Sequence, residues 1–155
     1  MLVRTHRNRD IPAISRLYYD TIHRINVQDY SREQVDAWAP EVPGESFWRE
    51  RFKNYTVYVA EADGCIVGFT ELGTTGHIDC FFVHHDWQRC GVGTRLMKRV
   101  MTTATRNGIS RLSAEVSVTA APFFRSQGFV IVKEKESVRG DVKLKQFDME
   151  KWLAS

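Results

Sequence analysis

The stretch Val83-His84-His85-Asp86-Trp87-Gln88-Arg89-Cys90-Gly91-Val92-Gly93-Thr94-Arg95 joins a β-rich run to a strongly amphipathic one. After it, Val92, Leu96, Met97, Val100, Met101 and Ala104 recur at helical spacing and Gly108 stands at a stop position, so a helix is expected over 91–107. Before it, His77 to His84 has the composition of a strand. A helix N-terminus offers backbone N–H groups without partners and the positive end of the peptide dipole. Two glycines there let an anion approach the backbone unobstructed. The segment is therefore a candidate phosphate cradle. It is not the dinucleotide fingerprint, because G-x-G-x-x-G would need glycine where Leu96 stands, and the G-x-x-x-x-G-K of a P-loop is absent. Gln88, three residues before Gly91, and Arg95, Lys98 and Arg99 along the helix supply further donors and positive charge for a diphosphate.

The rest of the chain alternates between the two periods. Leu2 to His6 reads as a short strand. Asp10 is expected to cap a helix that has Pro12 in its first turn and carries Ile11, Ile14, Leu17, Tyr18, Ile22 and Ile25 on one face. Ser31 and Gln34 form a capping box for a short helix with Val35 and Trp38, ended by Pro40, and Phe47, Trp48, Phe52 and Tyr55 suggest another. Thr56 to Ala62 and Cys65 to Leu72 are strands joined by the hairpin pair Asp63-Gly64. Beyond the central helix come a strand over Leu112 to Val118, a short helix over Ala120 to Gln127 and a hairpin of 129–138 with 142–149. The Arg139-Gly140-Asp141 tripeptide is a plain hairpin turn. This order predicts one α/β domain of the α+β type over residues 1–155, with a mixed, mostly antiparallel sheet of about seven strands flanked by helices.

The 155 residues, 43% apolar and 26% charged, can bury an adequate core without disulfides or structural metal. Cys65, Cys80 and Cys90 have no C-x-x-C spacing, which fits buried thiols in a reducing cytoplasm and no zinc site. His77, Asp79, His84 and His85 match no zinc pattern, with His84 and His85 on opposite faces if the strand runs on, so no metal is expected. No run is long enough to span a membrane and the first residues lack a signal core, which predicts a cytoplasmic protein. A net charge of +3 does not point to nucleic acid. Its distribution is uneven: 88–114 carries six basic residues and no acid, and 26–50 has a net charge of −4.

Gln88-Arg89-Cys90-Gly91-Val92-Gly93, taken with the preceding Phe81-Phe82-Val83 strand end and the later Phe123-Phe124-Arg125-Ser126-Gln127-Gly128-Phe129, resembles the GNAT superfamily of acetyl-CoA-dependent N-acetyltransferases. The resemblance covers nearly the whole chain through the order of elements. It implies direct acetyl transfer from acetyl-CoA to an amine, without metal, by a monomer or homodimer. Phe81, Phe82 and Val83 would run beside the pantetheine arm, and the amides of Arg89, Cys90, Gly91, Val92, Gly93 and Thr94 would hold the pyrophosphate, with Gln88 at the entrance. A backbone N–H near Phe82 or Val83 would polarise the thioester carbonyl.

Attack by an amine near pKa 10 requires loss of a proton. The resemblance implies a base on the strand carrying His77 and Asp79, which alternation sets on one face. His77 has the better intrinsic pKa; Asp79, or Glu71 on the neighbouring strand, could instead hold the substrate or orient His77. Cys80, on the opposite face, and Cys90, in the cradle, are poorly set as acyl carriers. Two positions depart from the family pattern. Phe124 stands where many members have a tyrosine that protonates the thiolate, and Ser117 replaces a common asparagine, either contacting the cofactor or facing solvent. For the acceptor, Tyr18, Tyr19, His23, Tyr30, Trp38 and Trp48 with the acidic excess of 26–50 suit a small cationic or aromatic amine. The alternatives are a protein or peptide N-acetyltransferase and a non-catalytic acyl-CoA-binding module.

Overall fold

Alternation along β2 (Thr56–Ala62) divides the core into two layers. Tyr58, Ala60 and Ala62 join Leu96, Met97 and Val100 of α4 (Val92–Arg106), whereas Val59 packs with Ile11, Ile14 and Leu17 of α1 (Ile11–Arg24), Trp48 of α3 (Glu45–Phe52) and Phe69 of β3 (Cys65–Leu72). The computed structural model describes residues 1–154. Its remaining elements are β1 (Leu2–Thr5), α2 (Arg32–Trp38), β4 (His77–Val83), β5 (Arg111–Ser117), α5 (Ala121–Ser126), β6 (Val130–Arg139) and β7 (Val142–Trp152). Seven strands form one sheet in the order β1-β2-β3-β4-β5-β7-β6, antiparallel throughout except between β4 and β5. The expected fold class is what the chain adopts, and the last strand runs to Trp152, beyond the expected 149.

Two irregularities shape the centre. The β3–β4 register shifts between the pairs Thr70–Phe81 and Leu72–Ile78, so that Asp79 and Cys80 together oppose Glu71 as a bulge. On the other side, β4 pairs with β5 only at His77–Ser113 and Ile78–Ala114, and past the bulge the two strands part. Thus β4 keeps an open edge from about residue 79 onward.

Three local expectations are corrected here. Of the thiols expected to be buried, only Cys80 is; Cys65, beside the Asp63-Gly64 turn, and Cys90, in the loop before α4, are exposed. Asp10 makes no side-chain hydrogen bond to the start of α1; its carboxylate accepts from Arg7 N–H at 2.7 Å and from the Arg4 guanidinium at 2.8 and 3.1 Å. A nearby cation and an amide of the preceding 3-10 turn satisfy the carboxylate better than the helix end does. The strand also stops at Val83, and the His84 and His85 rings stack at 4.2 Å in the following turn instead of facing opposite ways. The capping box is as expected, with Ser31 Oγ accepting from Gln34 N–H and Gln34 Oε1 from Ser31 N–H.

The Arg4 hydrogen bonds hold the Asp10 carboxyl below the usual carboxylate range, with burial opposing. A depressed carboxylate contributes stability above its unfolded pKa, about 3.9, and loses it as pH falls through the folded value. Asp10→Ala is therefore expected to cost about 3 kcal/mol at pH 7 and progressively less below about pH 4. Urea unfolding of both proteins across pH 2–7 checks this.

Candidate active site

The parting of β4 from β5 opens a cleft of about 630 Å³ that runs to the N-terminus of α4. Its walls include Phe81, Phe82, Val83, Gln88, Arg89, Gly91, Val92, Gly93, Thr94 and Ser117, ten of the eleven cofactor residues expected from sequence. Cys90 is the exception: it does not line the cleft, and its thiol lies 3.4 Å from Gln88 O. The first i to i−4 bond into this end of α4 is Arg95 N–H to Gly91 O, so the N–H groups of Val92, Gly93 and Thr94 have no acceptor within the helix. Gly91 caps it at φ +84°, and a Cβ there would meet only open space; a Cβ on Gly93 would come within 3.0 Å of the Phe123 ring. Gly91 thus supplies the turn, and Gly93 lets α5 close the cradle.

Hydrogen bonding defines the open edge of β4. His84 N–H bonds Val67 O, and by antiparallel alternation the Phe82 N–H bonds Phe69, which leaves the N–H groups of Phe81 and Val83 facing away from β3. Phe82, one of the two positions expected to polarise a carbonyl, therefore has its N–H committed to the sheet, whereas those of Phe81 and Val83 are directed to the open edge. Val83 O accepts from Gln88 Nε2 at 2.7 Å and from Thr21 Oγ1 at 3.1 Å, so Gln88 acts as a clasp between the strand end and the cradle. Of the helix cations, Arg95 donates to Met1 O at 2.9 Å and Arg99 to Val3 O at 3.2 Å, both directed at β1 and away from the cleft. Arg89 is the basic side chain on the cleft wall.

On the other side of Phe81 and Phe82 lies a second cavity, of about 140 Å³. Phe81, Phe82, Ser117 and Ala120 line both spaces, so the two are adjacent and share this wall. Tyr18, Trp38, Phe47, Trp48 and Phe124 form apolar walls, with Arg51, Asp79, Cys80, Glu115, Arg139 and Gln146 as polar ones. Tyr18, Trp38 and Trp48 were expected here. Tyr19, His23 and Tyr30 lie elsewhere: His23 stacks on Tyr19 and bonds Ala39 O, and Tyr30 ties Lys145 O to Val118 N–H. None of the acids of 26–50 lines this cavity; Asp36, Glu45 and Glu50 pair with neighbouring bases on the helices.

Arg51, which carries no motif, organises the polar wall. Its guanidinium donates to both oxygens of the fully buried Glu71, at 2.7 and 3.2 Å, and to Asp79 at 2.8 Å. Glu71 is thereby spent on an internal cation. Asp79 also accepts from Tyr55, whose hydroxyl burial and this bond push up to about 12. The bulge brings Cys80 to the same guanidinium, 3.6 Å away, so Cys80 and Asp79 converge instead of lying on opposite faces. Burial, reinforced by Glu71, pushes the Cys80 thiol well above its ordinary value, which keeps it a poor acyl carrier. His77 lines neither space; its Nδ1 lies 3.1 Å from Ser113 Oγ at the closed end of the β4–β5 pair.

Ser117 Oγ accepts from Ala120 N–H at 3.0 Å and lies 3.5 Å from Nδ2 of Asn26, a buried residue of the turn after α1. The asparagine missing from the strand end is matched by an amide from another element. Nothing in the sequence near Asn26 signals this. The Phe124 position has no hydroxyl; its ring packs on Phe81, Phe123 and Phe129.

A sheet split beside one parallel pair, with an anion cradle at its mouth and an aromatic cavity at its base, is the frame of an acyltransferase. A family profile described as an acetyltransferase (GNAT) domain matches residues 26–153. The chain is 30% identical over 133 residues to an uncharacterized N-acetyltransferase, YafP, of Escherichia coli strain K12, covering 86% of this chain and 83% of that one. It also matches the crystal structure of a GCN5-related N-acetyltransferase from Rhodopseudomonas palustris with TM-score 0.93 and 28% identity, over 98% and 95% of the two chains. The fold is shared with the PaiA N-acetyltransferase of Thermoplasma acidophilum, solved with coenzyme A, at TM-score 0.78 and 17% identity over 99% and 100%. The chain belongs to the GNAT family of acetyltransferases.

Proposed function

We propose that this acyltransferase moves an acetyl group from acetyl-CoA directly to the amine of a small molecule. The carrying observation is the adjacency of the two spaces, which share Phe81, Phe82, Ser117 and Ala120 as walls. The cofactor's pyrophosphate rests on the Val92, Gly93 and Thr94 amides, its arm follows the open edge of β4, and its thioester reaches the junction. There a Phe81 or Val83 N–H stabilises the oxyanion. The amine lone pair attacks the thioester carbonyl carbon, a C–N bond forms and the C–S bond breaks. The proton lost by nitrogen leaves by Asp79 toward solvent, and the CoA thiolate, a tolerable leaving group because its thiol has a pKa of about 8.5, takes a proton from water. The confined aromatic walls favour a small acceptor over an extended peptide. No acid of 26–50 lies in the cavity, so the aromatic half of the sequence expectation is retained and the cationic half is not.

The test is thermal unfolding with acetyl-CoA against equimolar ATP. At about 100 times the dissociation constant, acetyl-CoA should stabilise the fold by about 2.7 kcal/mol, a rise of roughly 5–10 °C. No shift at saturation would overturn the reading, including its non-catalytic variant, in which acetyl-CoA binds but no amine releases CoA. The base assignment has its own check. Asp79→Asn is expected to lower kcat about 100-fold at unchanged acetyl-CoA affinity, and His77→Ala to leave the pH–rate profile in place.

A further inference from the structure

Deepening the acyl-transfer reading, on which this rests, we propose that the acceptor is an amine that also carries a carboxylate, a small amino acid with an apolar side chain. Arg139 holds the carboxylate and Gln146 receives an amine N–H. The first observation is a balance of charge around the acceptor cavity. Every acidic group on or behind its wall has a basic partner: Asp79 and Glu71 have Arg51, and Glu115 has Lys135 at 3.1 Å. Arg139, at the tip of the β6–β7 hairpin, lines the same cavity and has no carboxylate within 4.0 Å among the described residues. Its one hydrogen bond is to Val138 O of its own strand, at 3.5 Å. The cavity thus presents an unspent guanidinium fork, whose geometry matches a carboxylate. An amine carrying only positive charge would meet that cation unopposed.

The second observation is independent of charge. Gln146 on β7 is 7% exposed, lines the cavity, and its Oε1 is buried with no hydrogen-bond partner. A buried carbonyl oxygen left unpaired is costly, and its natural complement is an N–H donor. The cavity therefore offers an acceptor for the amine and a cation for the carboxylate, the two groups that an amino acid joins through one carbon. The third observation is size. A space of about 140 Å³ walled by Tyr18, Trp38, Phe47, Trp48 and Phe82 suits an apolar side chain up to about a benzene ring, since a cavity of about 150 Å³ is known to hold benzene.

The experiment measures CoA release by the full chain with matched acceptors: phenylalanine, phenylalaninamide and phenethylamine, then leucine and leucinamide. The acids are expected to have kcat/KM at least about tenfold above their partners. Arg139→Gln should raise KM for phenylalanine by about the same factor and bring the acid-to-amide ratio close to one. Gln146→Leu should weaken acid and amide alike. A stable variant is recognised by an acetyl-CoA thermal shift equal to that of the unmodified chain. The proposal is overturned if the amides or phenethylamine are preferred, or if Arg139→Gln keeps the ratio. It is also overturned if no acid is acetylated by protein that acetyl-CoA stabilises. Absence of that stabilisation would instead refute the acyl-transfer reading itself, and this proposal with it.

Discussion

Gly91→Glu is expected to weaken acetyl-CoA binding by more than about 100-fold, with the thermal shift lost. Two effects combine. At φ +84° any side chain is strained, at a cost of about 1 kcal/mol, and the new side chain projects into open space at the cleft wall, where on the proposed reading its carboxylate meets the cofactor's pyrophosphate. Each like-charge contact in such a partly desolvated place costs several kcal/mol. Gly91→Ala separates the two, since it carries the strain without the charge, and it should retain most of the binding. Calorimetric titration of both variants with acetyl-CoA measures the difference. Tight binding by Gly91→Glu would remove the cradle from this end of α4.

The second large effect is on stability. Arg51→Met should destabilise the fold by about 3–5 kcal/mol, lowering Tm by roughly 10 °C. The cause lies in Glu71, which is wholly buried and loses a two-bond partner, while Asp79 keeps water and Tyr55. A buried pair adds little net stability, yet half of one is expensive. The double variant Arg51→Met with Glu71→Leu should therefore recover most of the loss. Thermal unfolding of the single and double variants decides the matter, and equal Tm values for the two would refute the role given to Glu71.

Much of the fold could be read because its signals are local. The change of period on either side of Asp63-Gly64, the helical face from Val92 to Ala104, and the glycines at 91 and 93 each depend on neighbours in sequence. What failed were inferences that needed knowledge of distant partners. Asp10 had a cation available from β1, and Arg95 and Arg99 had carbonyls there to bond. Strict alternation assigned Asp79 with His77, and Cys80 to the other face. One extra residue opposite Glu71 changed that, and no residue type in the stretch announces it. The polar wall of the acceptor cavity was missed for the same reason. Arg51, Arg139 and Gln146 come from a short helix and a hairpin more than 80 residues apart and meet only in the folded chain.

The four residues shared by the cleft and the cavity also constrain the order of events. Phe81 and Phe82 are fixed by Phe123, Phe124, Phe69 and Tyr18, and Ser117 by the Ala120 amide, so neither space opens at the expense of the other. In the proposed direct transfer, both substrates then sit on the protein together before either product departs, with no acyl-protein stage between them. On that proposal, saturation by one substrate leaves the demand for the other intact, and the rate answers to the supply of acetyl groups and of acceptor alike.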